Sequence, residues 1–170
     1  MMEMWELVAR ESIRDRIARW NANGDAGRMA DMVLVLAPDV AFSIREGEVL
    51  RGRDAVLESL LGVRDGGAST EEASTEEAPT EKAPAPRTGR YLPPGKQPSI
   101  RHFTSNPWIV FESQTRARVR TYYQVLSSFG LDHWGRYLDV FEVVDGDWLI
   151  TQRTVTTEGV DPEGWAAVLA

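Results

Sequence analysis

Residues 133–157 read HWGRYLDVFEVVDGDWLITQRTVTT. Two runs rich in β-branched and aromatic residues flank Asp145-Gly146-Asp147. A tight hairpin needs positive φ at its turn, and Asp-Gly supplies it at low cost. The stretch therefore predicts two long antiparallel strands. The run before it, RARVRTYYQVLSSF (116–129), alternates strictly. Val119, Thr121, Tyr123 and Val125 fall on one face; Arg118, Arg120, Tyr122 and Gln124 fall on the other. Period-two alternation marks a half-buried strand. IRHFTSNPWIVFES (100–113) reads as one further strand.

Upstream of this β region the period changes. Apolar residues at 5, 8, 13, 17 and 20 give helical spacing, and NANGD ends that helix with Gly24 as the expected cap. Met29, Met32, Val33 and Leu36 predict a second helix stopped by Pro38. DVAFSIREGEVLRG (39–52) reads as strand, turn and short strand, and RDAVLESLLGV (53–63) as a third helix. Helices first and an antiparallel meander after predict an α+β fold, a cone-shaped curved sheet of mixed and antiparallel strands wrapped over three N-terminal helices. Side chains on the inner face then line a pocket at the open end. The tryptophans at 5, 20, 108, 134, 148 and 165 are read mostly as core, with Trp20 at the pocket wall.

Between these parts lies a stretch with almost no apolar residue. STEEA occurs in tandem at 69–73 and 74–78 and decays into PTEKAPAP. Such a segment buries too little surface to offset its chain entropy. The 170 residues thus predict one domain, interrupted by a disordered low-complexity insertion at about 66–96.

Composition excludes several function classes. The net charge of −7 and pI near 4.9 disfavour nucleic acid and anionic membrane surfaces. No signal peptide and no transmembrane run is read. The absence of cysteine removes disulfides and thiolate metal sites and suits a cytoplasmic setting.

The order SIRDRIARWNANGD, MADMVLVLAPDVAFSI, LRGRDAV, IRHFTSN and GRYLDVFEVVDGDWLITQRTV resembles the SnoaL-like branch of the nuclear-transport-factor-2-like superfamily. The resemblance covers nearly the whole chain outside residues about 64–98. It implies a cystatin-like α+β barrel and a range of cofactor-free chemistries, among them polyketide cyclases, dehydratases, dehydrochlorinases and isomerases. In the scytalone dehydratase and dehydrochlorinase branch an aspartate after the first helix pairs with a histidine on the strand after the third. Asp25 and His102 occupy those positions, and Trp148 with Arg153 repeats the spacing at the last strand. The aspartate base of ketosteroid isomerases and the Asp-Arg-Asp set of limonene epoxide hydrolases have no counterpart here.

A histidine with a carboxylate on its second ring nitrogen is a usable general base near neutral pH. The resemblance makes His102 and Asp25 the catalytic candidates, without cofactor or metal. Trp20, Phe42, Asn106, Tyr123, His133, Tyr137 and Arg153 are the candidate substrate-binding residues. Four of these have a plainer role in competition: His102 as a satisfied polar residue at a strand start, Asp25 as a turn or cap residue, His133 as a surface turn residue, Arg153 as a partner of Asp139 or Glu142. The expected activity is a lyase or isomerase acting on a hydrophobic, cyclic or polyketide-like molecule of secondary metabolism. Two alternatives stand beside it: a non-catalytic ligand-binding module, and a structural subunit resembling the β subunit of ring-hydroxylating dioxygenases. A homodimer through the outer sheet face is expected.

Overall fold

The computed structural model describes residues 1–45, 48–64 and 99–168. The expected insertion at 66–96 lies outside the described residues.

Helix α1, Met4–Asp25, turns Ala9, Ile13, Ile17 and Trp20 inward, a stripe at spacings of four, four and three. It runs one turn further than the sequence suggested. Gly24 lies within it, and the left-handed residue that ends it is Gly27, at φ +72°. This extension makes Asp25 the last helical residue. The second helix is only α2, Met29–Met32, followed by a 3-10 turn at Val33–Val35. Its β-branched valines suit extended structure, and strand β1, Leu36–Arg45, begins at once. Pro38 therefore stands inside a strand rather than at a helix stop. It is tolerated there because the pairing register slips between Leu36 and Ala41.

Strand β2, Glu48–Arg51, and helix α3, Arg53–Arg64, follow as expected. The single strand expected over 100–113 is two strands, β3 at Arg101–Thr104 and β4 at Trp108–Ser113. Pro107 has no N–H for the ladder. Before it Ser105 takes over, donating from its backbone N to the Tyr122 carbonyl at 2.9 Å and accepting from the Tyr122 N–H on its hydroxyl at 3.1 Å. Both short strands pair with β5, Arg116–Ser127, at its opposite ends.

Strands β6, Gly130–Val144, and β7, Asp147–Val160, form the long hairpin. Asp145 and Gly146 at its turn have φ +51° and +87°, the two positive values a two-residue turn of this hand requires. The sheet order is β2-β1-β7-β6-β5-β3, with β4 also on β5. Only β1 with β7 is parallel. The three helices cover one face of this mixed, unclosed sheet. The main core lies between them, where Ile13, Phe42, Val56, Phe141 and Ile150 have at most 1% exposure. Among the described residues, no helix is long and apolar enough to cross a membrane.

The alternation read for β5 holds: 117, 119, 121, 123 and 125 are buried and the residues between them exposed. Two tryptophans depart from the core expectation. Trp108 and Trp134 lie on the outer sheet face, 62% and 41% exposed.

Candidate active site

Asp25 ends α1 beside the start of β3 because the helix runs its extra turn to that point. Its backbone carbonyl there accepts a hydrogen bond from Arg101 at 3.4 Å, which answers one of the open carbonyls of the helix end. The side chain reaches the next residue. Nδ1–H of His102 donates to Asp25 Oδ1 at 2.7 Å, and the backbone N–H of His102 donates to both carboxylate oxygens at 3.2 and 3.1 Å. A carboxylate only accepts, so in the neutral ring this contact places the proton on Nδ1 and the lone pair on Nε2. Both side chains are mostly buried, 19% and 15% exposed. His102 and Thr104 point to the inner face while Phe103 is exposed, as strand alternation requires.

A row of rings lies along the same inner face. Arg153 sits between Trp20 and Tyr137, its guanidinium carbon 4.6 and 4.5 Å from the two ring centres. Tyr137 stacks on Tyr123 at 4.6 Å, and Tyr123 meets the edge of His133 at 5.9 Å. Arg153 is held to Asp139 by a two-pronged pair, Nε to Oδ1 at 2.8 Å and Nη2 to Oδ2 at 2.7 Å, with neither side chain exposed. Of the two partners considered from sequence, Asp139 is the one used. Burial opposes the Arg153 charge, yet the Asp139 carboxylate outweighs it and holds the guanidinium above its ordinary value. Burial pushes the Tyr137 phenol far up. Arg153 opposes that rise, and the charges of Asp139 and Asp25 add to it. Burial also raises Tyr123, whose hydroxyl is bonded to Thr157 at 3.0 Å. Both phenols thus stay protonated and able to donate near neutral pH.

His133 is not the surface turn residue that its neighbours in sequence suggest. It lies inside β6 and faces inward, because the ladder slips at Val125/Leu126 and turns Asp132 out of alternation. Asp132, 2% exposed, accepts from His133 Nδ1 at 2.8 Å and from the backbone N–H groups of Trp165 and Ala166 at 2.6 and 3.1 Å. It thereby ties the C-terminal 3-10 turn, Trp165–Val168, to the mouth of the sheet. Burial lowers the His133 pKa below its ordinary 6.5, against the pull of Asp132. Folding then favours the neutral ring, so the unfolded chain binds more protons and stability falls as pH drops below about 6.5. We expect His133→Gln to show a smaller loss of Tm than the parent between about pH 7 and about pH 5. An unchanged loss would remove His133 as the source of the slope.

Two residues read as ligand contacts are elsewhere. Phe42 is 1% exposed and packs behind Trp20 at 5.6 Å, so it backs the wall rather than lining it. Asn106 is exposed on the link between β3 and β4, because the strand breaks before it. Residues not singled out from sequence also shape the site: Asn21, Thr121 and Asp132. The spacing of Asn21 four residues before Asp25 was the signal available for the first. Among the described residues, no three His, Cys, Asp or Glu side chains group as a metal site.

The SnoaL-like domain profile matches residues 5–154. The chain belongs to the SnoaL-like family. This SnoaL-like protein matches no curated protein by sequence. Solved structures share its fold. A scytalone dehydratase-like protein from Novosphingobium aromaticivorans is 20% identical, with TM-score 0.68 over 94% of this chain and 91% of that one. A hexachlorocyclohexane dehydrochlorinase from Novosphingobium barchaimii is 12% identical, with TM-score 0.66 over 94% and 93%. The β subunit of an aromatic-ring-hydroxylating dioxygenase from Novosphingobium aromaticivorans is 13% identical, with TM-score 0.62 over 91% and 92%. At these identities the likeness is one of fold.

Proposed function

We propose that this SnoaL-like protein is a small cofactor-free lyase or isomerase that removes an acidic proton from a hydrophobic cyclic molecule. The observation that carries this reading is the 2.7 Å contact between His102 Nδ1 and Asp25, which in the neutral ring leaves Nε2 as the basic nitrogen. Asp25 fixes the tautomer and orientation, Nε2 of His102 takes the proton, and the carboxylate stabilises the imidazolium that forms. The negative charge left on the substrate needs hydrogen-bond donors held in place beforehand. Tyr137 and Arg153 supply them, and Tyr123 and His133 complete the wall. For a substrate with a hydroxyl or halide on the carbon next to the acidic one, the same abstraction becomes an elimination, in which the His102 imidazolium returns its proton to the departing hydroxyl as water, or halide leaves as the anion. For one without, the imidazolium returns the proton to another carbon of the conjugated enolate, and the result is an isomerisation.

The test uses a simple cyclic ketone, β-tetralone, in deuterium oxide. The protein should speed loss of the proton next to the carbonyl above the buffer rate, as followed by NMR. No acceleration with this ketone or with a panel of related acidic ring compounds would leave the pocket a binding module.

The outer sheet face carries a second feature. Phe103, Tyr122, Leu131 and Trp134, each 41–52% exposed, line a groove of about 670 Å³. Exposed apolar side chains grouped in one groove support an association site there. Its proposed occupant is a second copy of the chain, and sedimentation at micromolar concentration should give a dimer that Trp134→Glu converts to monomer. A large partner in place of the second copy, the role of a dioxygenase β subunit, would instead leave the isolated chain monomeric.

A further inference from the structure

Helix α1 and strand β3 meet inside the sheet in two rungs. The upper rung is Asp25 with His102. The lower rung lies one helical turn back and two strand residues on, where Asn21 Nδ2 reaches Thr104 Oγ1 at 3.5 Å. Among the described residues this long contact is the only bond of the Asn21 amide. Its Oδ1 has no partner, although the residue is only 8% exposed. The Thr104 hydroxyl can give or take a hydrogen bond, so either orientation of the amide leaves one end unpaired.

Nothing in the helix itself calls for an amide there. Its inward neighbours Ile13, Ile17 and Trp20 are apolar, and leucine at 21 would extend their stripe. A buried polar end without a partner costs stability that an apolar side chain would not. Among the described residues three further side-chain atoms are in the same condition: the hydroxyl of Thr121, fully buried, Nη1 of Arg153, and Nε of Arg136, whose Nη1 pairs with Glu158. Thr121 pairs across the ladder with Tyr137, whose ring lies on the Arg153 guanidinium. The other side of that guanidinium lies on Trp20, the neighbour of Asn21 in sequence. The unpaired Asn21 oxygen thus lies one helical turn before Asp25, and the contacts from Trp20 through Arg153 and Tyr137 to Thr121 carry a donor and a hydroxyl along the same inner face.

We infer that Asn21 is a specificity residue whose amide accepts a hydrogen bond from a hydroxyl of the bound molecule while the acidic C–H of that molecule faces His102. This deepens the general-base reading of the site and rests on it for the His102 end. The ligand class is a cyclic carbonyl compound with a hydroxyl on the far part of its ring system. One helical turn spans about 5 Å and two strand residues about 7 Å, which sets the separation of the two contacts along the ligand. The terminal torsion of asparagine is soft, so the amide can turn to meet the hydroxyl.

The probes are β-tetralone and its ring-hydroxylated analogue, 6-hydroxy-β-tetralone, with binding read by calorimetry. The parent should bind the hydroxylated ketone about tenfold more tightly. Asn21→Leu should bind the two alike, and Asn21→Asp, which keeps an acceptor, should retain the preference. Without ligand, Asn21→Leu should melt no lower than the parent. Asn21→Ala guards against overfilling. A fall in Tm in both variants means that the amide is satisfied within the fold, and overturns the inference. So does a preference that survives in Asn21→Leu, or a parent that binds neither ketone. Proton exchange on β-tetralone by the parent separates the two readings. A hydroxyl preference lost in Asn21→Leu without any catalysed exchange sinks the general base and keeps Asn21. Exchange without a hydroxyl preference does the reverse.

Discussion

Replacing His102 with glutamine should return proton exchange on a bound cyclic ketone to the buffer rate, a loss of roughly 10²–10⁴-fold. Glutamine keeps the length and polarity of the side chain but has no basic nitrogen. The backbone N–H of residue 102 still donates to Asp25, so the entry of β3 into the sheet is preserved. Tm should therefore stay within a few degrees of the parent. Asp25→Asn should lower exchange to a similar degree by another route. Its Oδ1 can still accept from the backbone N–H, but it cannot stabilise an imidazolium or hold the ring in the tautomer that frees Nε2. Because the two groups act as a unit, the double variant should lose little more than either single one. Additive losses would mean that the residues work separately. Full activity in His102→Gln would take His102 out of the chemistry.

The largest effect on stability is expected at Arg153. Arg153→Met should lower unfolding free energy by about 3–5 kcal/mol, because it leaves the Asp139 carboxylate buried without its partner. That is a large share of the total for a domain whose stability is about 5–15 kcal/mol. Asp139→Leu should cost a comparable amount by stranding the guanidinium. The pair Arg153→Met/Asp139→Leu removes both charges together and should recover much of the loss, a coupling of several kcal/mol in a double-mutant cycle by urea titration. The rings of Trp20 and Tyr137 on either side of the guanidinium add a contribution that methionine keeps only in part. If the single variants lose less than about 1 kcal/mol, water reaches the pair and its burial is not maintained in solution.

The difference between these two sites shows in how they use a carboxylate. Asp139 spends both oxygens on one guanidinium in a place with no exposure, and so its main effect is to hold β6 to β7 and to keep Arg153 fixed. Asp25 shares its oxygens between a backbone N–H and an imidazole at the rim, where the second ring nitrogen remains free for chemistry. Asp132 does a third thing. It joins a second histidine to the C-terminal turn and so connects the shape of the mouth to His133.

Much of the fold was legible in the chain because burial on a sheet or helix leaves a periodic mark. The alternation in 116–129, the Asp145-Gly146 turn and the α1 stripe each record a local rule, and each is realised. Local rules also account for the misreadings. Pro38 and Gly24 carry local stop signals, yet a register slip accommodates one and the helix continues through the other. Pro107 went the opposite way and divided a run of apolar residues into two strands. The family resemblance points to Asp25 and His102, and their contact bridges 77 positions. No periodicity encodes such a distance. It exists because α1 runs its extra turn and β3 enters the sheet at that point. The same holds for the choice of Asp139 by Arg153, for the inward turn of His133 at a slipped ladder, and for the loss of Asn106 to solvent. Sequence determined which faces are apolar and where the long hairpin turns. Only the tertiary structure decided which polar groups meet, since partners far apart in the chain are brought together by the twist and register of a whole sheet.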